Sequence, residues 1–355
     1  MKSRDAANPP NRFHTTTVTY DEGDGPPPAQ VTLIEDHSRS ILSENDSPDV
    51  GFRWSANPYR GCIHACNYCF ARPTHEYLDM GAGTDFDTKI VVKRQAAELL
   101  RATFDKPSWK GESVMFSGVT DCYQPIEREL ELTRRCLEVC LEYRNPVSVI
   151  TKSALVERDI DLFQALTRDA RFHLSVSLAF TDNEMSRAIE PWAASPDRRL
   201  KVIEAMAKAG VPVGIMIAPV IPGVNDSQLV QLLERAKNAG AQQAGWVLLR
   251  LPGAVKQVFE ERVRVALPLA ADKILHRIRN TRGGEKLYDS RFHTRGRGEG
   301  PYAEMLATMF DTTVARLGLN QRRRDKNLET AVAHDDDEPT TFVRPPKPTQ
   351  QLSLF

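Results

Sequence analysis

Cys62, Cys66 and Cys69 stand at the spacing C-x3-C-x2-C inside Asn57-Pro-Tyr-Arg-Gly-Cys62-Ile-His-Ala-Cys66-Asn-Tyr-Cys69-Phe70. No other feature constrains the fold as much, because three thiols this close in sequence must turn back on one centre. Thiolates are soft ligands, and one loop can wrap a single inorganic centre with them. Three cysteines on a four-iron cube leave one iron without a protein ligand, free to bind and activate a small molecule. A structural zinc site is the competing reading, with His64 or His75 as fourth ligand. Such sites usually come as two short pairs, and no second C-x2-C follows. Disulfides fit less well, since the chain has six cysteines in 355 residues and no apolar leader before its polar, Pro-rich start.

The length suits one large α/β domain or two smaller ones, and a 41% hydrophobic composition supplies a sizeable core. Lys+Arg and Asp+Glu both number 47, so net charge does not indicate a partner. No run approaches a membrane span, and a cytosolic protein in a reducing compartment is expected. Residues 1–50 read as a flexible extension, polar and Pro-rich as far as Pro26-Pro27-Pro28, then a short apolar patch at Val31-Thr-Leu-Ile34 and a loop. Beyond the cysteines, strand and helix patterns alternate, which argues for a parallel sheet with helical crossovers. Helices are predicted over 89–104, 126–143, 159–166, 198–209, 227–239, 267–278 and 302–317. Strands are predicted over 113–116, 147–150, 172–178, 211–220 and 246–251. About six strand-helix units result, too few for an eight-fold barrel. Residues 51–318 form the domain, and 319–355, with Arg322–Arg324, an acidic run and Pro345-Pro346, read as a disordered tail.

The cysteine spacing resembles the signature of the radical SAM superfamily. That resemblance implies a partial (β/α)6 TIM-type barrel, a [4Fe–4S] cluster on Cys62, Cys66 and Cys69, and S-adenosylmethionine bound at the open iron. In α/β barrels reactive groups gather at the C-terminal ends of the strands. The first exit reads Ser117-Gly118-Val119-Thr120-Asp121-Cys122-Tyr123-Gln124-Pro125. The superfamily often carries Gly-Gly-Glu here to hold the methionine amine, and Ser117, Gly118, Thr120 and Asp121 are the expected substitutes; an ordinary polar turn is the alternative. Lys152, at the next exit, is expected to pair with the methionine carboxylate or else to be a solvated lysine. Ser175 and Ser177 share one strand face and suit a ribose, or bond backbone. Glu190 either holds ribose hydroxyls or forms a salt bridge with Arg198 or Arg199. By the same resemblance Phe70 lies near the adenine.

Further motifs resemble the spore photoproduct lyase-like branch over about residues 50–310. They are Asn57-Pro-Tyr-Arg-Gly-Cys, Cys-x-Tyr-Cys-x-Ala-Arg72, His75-Glu-Tyr77, Gly118-Val-Thr-Asp121 with Tyr123-Gln-Pro125, Ile150-Thr-Lys152, Glu190-Pro191 with Arg199-Leu200, and Ala218-Pro-Val-Ile-Pro-Gly-Val-Asn225-Asp226. The branch implies one-electron reduction of S-adenosylmethionine, a 5′-deoxyadenosyl radical that takes a hydrogen from substrate, and an electron donor such as flavodoxin or ferredoxin. A lyase also needs a hydrogen donor for the product radical. Photoproduct lyases keep a cysteine ahead of a Ser-Asp pair; here the nearest thiol is Cys122, after Asp121, with Tyr123 as the other candidate. Cys136 and Cys140 read as core.

The stretch Gln351-Leu-Ser-Leu-Phe355 resembles the peptide by which bacterial replication and repair proteins bind the DNA sliding clamp. Leu and Phe on a polar tail need a receiving groove, and a flexible tail of this length reaches about 30 Å; the alternative is an apolar end that packs back on the barrel. Arg277, Arg279, Arg282, Arg291, Arg295, Arg297 and Arg322–Arg324 either track phosphates or form a solvated surface balanced by Glu285, Asp289 and Glu299. The sequence therefore points to a radical SAM enzyme acting on DNA at the clamp, and so associated with the nucleoid. The alternatives are a radical SAM enzyme for RNA, a peptide or a small molecule, and a non-catalytic clamp-associated iron–sulfur sensor.

Overall fold

The computed structural model describes residues 4–5, 7–13, 28–321 and 339–346. Six parallel strands build the main sheet in sequential order: β1 (Trp54–Ala56), β2 (Val114–Phe116), β3 (Val147–Thr151), β4 (Phe172–Ser177), β5 (Val213–Val220) and β6 (Gln243–Leu248). Leu42–Glu44 adds an antiparallel edge beside β1. Each strand neighbours the next in register, Val114 against Val147 and Leu174 against Val213, for example. Among the described residues this is the expected (β/α)6 partial barrel.

Strand period two divides the sheet into unlike faces. Val149, Leu174, Val176, Ile215 and Trp246 turn outward into one apolar core with Leu137, Phe163, Ile203, Leu232 and Phe310 from the surrounding helices. The alternate positions carry Ser55, Met115, Ser148, Ser175, Gly214, Met216 and Gly245. Apart from the two methionines these side chains are small or polar, and they leave the concave face open.

Several predicted boundaries move. Residues 89–104 are not one helix: Lys89–Val92 is a strand, parallel to Thr32–Glu35 and antiparallel to Tyr59–Arg60, and the helix begins at Ala96. The run Ile90-Val91-Val92 is β-branched, and its apolar spacing fits either period. The helix predicted over 126–143 breaks at Glu131, whose φ is +50°. Val255–Ala266 is an unpredicted helix, and the one after it starts at Ala271. The strand predicted over 246–251 is Gln243–Leu248.

The two extensions are not free along their whole length. In the first, Asn8 Oδ1 accepts from Asp85 N at 3.0 Å, and Ala7 O accepts from Thr84 N at 2.9 Å. In the second, residues 339–346 lie on the barrel, where Phe342 stacks on Tyr143 with ring centroids 6.1 Å apart. Composition alone hides both anchors, because each rests on a few contacts to residues distant in sequence. Residues 322–338 and 347–355, including the expected clamp peptide, lie outside the described residues.

The loop after β5 shows how the motif Asn225-Asp226 shapes the barrel rim. Asn225 Nδ2 donates to Ala179 O at 2.7 Å and to Pro219 O at 2.9 Å, while its Oδ1 accepts from Ile221 N at 2.6 Å. All three bonds are buried, so truncation leaves three backbone groups without partners. Asn225→Ala should lower unfolding free energy by about 3 kcal/mol, read as a shifted denaturant midpoint with an unchanged slope.

Candidate functional site

The cysteine loop leaves β1 at its C-terminal end and is pinned on every side. Gly61 has φ +80°, and a Cβ there would stand 2.9 Å from Phe86 O and from the His75 ring, so only glycine fits. Cys62 N donates to Phe86 O at 2.9 Å, and Asn67 N to Ile189 O at 3.0 Å. Gln124 grips the loop twice, through Oε1 to Ile63 N at 3.0 Å and through Nε2 to Gly61 O at 3.1 Å. Arg72, fully buried, donates to Cys66 O at 2.8 Å, Ala82 O at 3.0 Å, Gly83 O at 2.8 Å and Asp87 Oδ1 at 2.8 Å. Arg262 reaches the other Asp87 oxygen at 2.7 Å.

The three thiols lie close enough for charge on one to raise the titration of another. Burial is the larger cause, pushing Cys66 up to about 12 and Cys62 and Cys69 upward as well. Lys152 opposes this at Cys66 and Cys69. Protonated thiols in this environment need a cationic centre to become ligands. Neither expected zinc histidine is turned to them: His64 Nδ1 stands 3.4 Å from Asp121 Oδ2, and His75 Nε2 pairs with Lys89 O at 2.9 Å. Among the described residues no group of three or more His, Cys, Asp or Glu is arranged around a single metal ion. Three cysteines, Cys62 and Cys66 buried and Cys69 partly so, without a fourth protein ligand suit an iron–sulfur cluster better than a closed zinc site.

The first strand exit serves the loop itself. Thr120 Oγ1 donates to Gly61 O at 2.5 Å. Ser117, with φ +87°, accepts from Cys122 N at 3.0 Å. A Cβ on Gly118 would meet Ser55 at 3.1 Å. Asp121 accepts from Thr151 Oγ1 at 2.7 Å, Lys152 N at 2.7 Å and Tyr123 N at 2.9 Å. Burial alone would raise its carboxyl, but His64 and these donors outweigh it and hold it at about 2. Thr120 and Asp121 are thus already committed to protein partners.

Cys122 and Tyr123, the expected hydrogen donors, have no exposed surface and belong to the main core. The Tyr123 hydroxyl donates to Asp159 Oδ2 at 2.9 Å. A hydrogen donor must touch the radical it quenches, and both side chains are covered on all sides in this arrangement. Both follow an exposed-looking polar turn in sequence, but the chain dips inward before Pro125.

Lys152 and Ser177 do meet at the mouth, Nζ to Oγ at 3.0 Å, with the Lys152 ammonium 5.7 Å from the Tyr68 ring centroid. Ser175 pairs with His173 Nε2 at 3.2 Å on the same strand face. Glu190 forms the salt bridge rather than standing free: one carboxylate oxygen takes Arg199, the other the Tyr68 hydroxyl. Burial would raise Glu190; Arg199 and then Lys152 hold it below its ordinary range. Arg198 pairs elsewhere, with Glu157. The Phe70 ring is half exposed, with the Arg250 guanidinium 5.6 Å from its centroid.

The expected basic track is mostly neutralised internally. Arg282 donates to the carbonyls of Thr294 and Leu249, Arg291 pairs with Asp289 and Glu299, Arg295 with Asp49, and Arg297 lies over Trp246. A separate cleft of about 540 Å³ is lined by Leu251, Lys256, Arg279, Glu285, Lys286 and Tyr288, three cations to one carboxylate. It adjoins the cysteine loop, since a Cβ on Gly253 would stand 3.5 Å from Pro73. The sequence motifs held signals for Arg72, Tyr68, Asn57 and Gln124, but not which backbone groups they would grip.

The radical SAM superfamily profile matches residues 56–236. An uncharacterized protein of Mycobacterium tuberculosis is 41% identical over 232 residues, covering 64% of this chain and 68% of its own. An uncharacterized protein of Methanocaldococcus jannaschii is 29% identical over 202 residues, 57% of this chain and 73% of its own. Among solved structures, spore photoproduct lyase complexed with dinucleoside spore photoproduct superposes with a TM-score of 0.58 at 16% identity, over 81% of this chain and 80% of that one. This chain belongs to the radical SAM superfamily, and its fold is that of the photoproduct lyase. Among the described residues no helix is long and apolar enough to cross a membrane.

The Asp121 network carries a pH signature. Its carboxyl titrates at about 2 against an ordinary 3.8, so its stabilising contribution is complete above about pH 4 and disappears as the pH falls through 2. Asp121→Asn should cost about 2 kcal/mol at pH 7. The gap between variant and wild type should close in denaturation curves taken below pH 4.

Proposed function

We propose that this chain is a radical SAM enzyme acting on lesion-bearing DNA, held at the replication machinery by a sliding clamp that grips residues 351–355. Cys62, Cys66 and Cys69 would hold the cluster. When bound, a [4Fe–4S] cluster supplies the electron that cleaves S-adenosylmethionine reductively, a reaction the cofactor carries.

The protein's own residues do the positioning. Gly61, Gln124 and Arg72 fix the backbone of the loop that carries the thiols. Lys152 stands where it can meet a carboxylate, and Ser175 and Ser177 face the same opening. Phe70 offers an aromatic face beside Arg250 for a purine. Glu190 does its work through others, aligning Tyr68 and Arg199 at the back of the site.

The observation that carries the DNA reading is the cleft beside the cysteine loop. Lys256, Arg279 and Lys286 line it, and no carboxylate among the described residues pairs with them. Three unpaired cations around an opening with Leu251 and Tyr288 suit a phosphate chain with a base to pack. The fold shared with a lyase that is complexed with a dinucleoside photoproduct makes damaged duplex the first substrate to try.

Reconstituted protein with S-adenosylmethionine and a chemical reductant should form 5′-deoxyadenosine faster with ultraviolet-damaged duplex than with intact duplex. Equal rates with both, or with no DNA, would defeat the substrate reading. Lys256→Glu with Lys286→Glu should weaken DNA binding about tenfold or more and flatten its salt dependence by about two charges. An unchanged salt slope would remove the cleft from the DNA path.

A further inference from the structure

Residues 339–346 lie in a groove made for them. The groove is formed by the segment that precedes β2 and by the turn that precedes β3, at the N-terminal ends of the strands. Phe342 packs on Phe104 and Tyr143, with ring centroids 6.0 and 6.1 Å away. Arg344 donates to three carbonyls: Phe104 O at 3.0 Å, Lys106 O at 2.6 Å and Trp109 O at 2.8 Å. Its guanidinium also lies 5.2 Å from the Phe342 ring. Thr340 Oγ1 donates to Gly111 O at 2.6 Å, Thr341 Oγ1 to Arg144 O at 2.7 Å, and Val343 N to Tyr143 O at 2.9 Å. Gly111 has φ +76°, and a Cβ there would stand 2.2 Å from the Phe342 Cβ. Glycine at this point therefore makes room for the Phe342 ring.

This contact is one-sided in a telling way. Every carbonyl that the strap caps is a loop or helix-end acceptor at the base of the barrel. The cysteine loop, Lys152 and the basic cleft all belong to the opposite end. Only residues 347–350 separate Pro346 from Gln351, and a fully extended chain covers about 18 Å over that interval.

We infer that residues 339–346 are an anchor that delivers the terminal peptide from the base of the barrel. A protein gripping Gln351-Leu-Ser-Leu-Phe355 is then held against the base, and the mouth stays free for substrate. The partner half of this inference rests on the clamp reading above; the anchor half does not. The stretch between the anchor and the peptide is accordingly the four residues 347–350 rather than the whole tail from residue 319.

Two measurements on the full chain separate the halves. Hydrogen exchange comes first, comparing wild type with Phe342→Ala/Arg344→Ala. The anchor requires residues 104–111 and 339–346 to exchange about tenfold or more faster in the variant, with the cysteine loop unchanged. Equal exchange in both proteins would overturn the anchor. The second measurement is amine cross-linking of the wild-type complex with a bacterial sliding clamp, using a short linker. Delivery from the base predicts links from the clamp to Lys106 and Lys110 and none to Lys256 or Lys286; in the variant the links should spread to both ends. Links to the mouth lysines in wild type would overturn the delivery. A clamp that does not bind wild type at all would overturn the clamp reading and the delivery together, while the exchange result still decides the anchor.

Discussion

A buried guanidinium holds the site together. Arg72 is shut off from solvent and gathers the carbonyls of Cys66, Ala82 and Gly83 with the carboxylate of Asp87. An ammonium in its place could not address four acceptors in one plane. Breaking such a pair from one side leaves a buried charge uncompensated, at about 3–5 kcal/mol. Arg262 then locks Asp87 to the helix after β6, so the loop near the start of the barrel is fastened to its far end. The cysteines are rigid because of charges that are not themselves ligands.

The rest of the molecule divides its labour between the two faces of one sheet. Outward positions are branched and aromatic and pack against helices; inward positions are, two methionines apart, small or polar and leave a concave surface. At the mouth, charged groups are arranged in linked pairs. Lys152 offsets the burial of Cys66 and Cys69 and also steadies Glu190, whose other neighbour is Arg199. The same lysine bonds Ser177, so the cysteine loop and β4 share one cation. A change at any of these residues is felt through its partners rather than locally.

Much of this was legible in the chain, and the misses have physical causes. The cysteine spacing and the strand-helix alternation are local signals, and they led to the loop and the six-stranded barrel. Period two correctly put Ser175 and Ser177 together, and the position of Lys152 at a strand end placed it at the mouth. Cys122 and Tyr123 are candidates by their place after Asp121; that the turn carries both into the core is a tertiary fact the sequence does not show. The arginine run from 277 to 297 read either as a phosphate track or as a surface balanced by nearby acids; Asp289 and Glu299 do pair with Arg291, while the Asp49 partner of Arg295 lies far away in sequence and was not legible. Lys256 and Lys286 are distant in sequence, and only the fold brings them to one cleft. The anchor at 339–346 was hidden for the same reason: its partners precede it by some two hundred residues.

The central claim is that three cysteines on a preset loop leave an iron open for S-adenosylmethionine. Electron paramagnetic resonance of the reconstituted, reduced protein tests it most directly. A four-iron signal that shifts on adding S-adenosylmethionine, and that is absent in a Cys62→Ala/Cys66→Ala/Cys69→Ala variant, is the predicted result. A signal indifferent to S-adenosylmethionine, or one that survives loss of the three cysteines, would contradict the account.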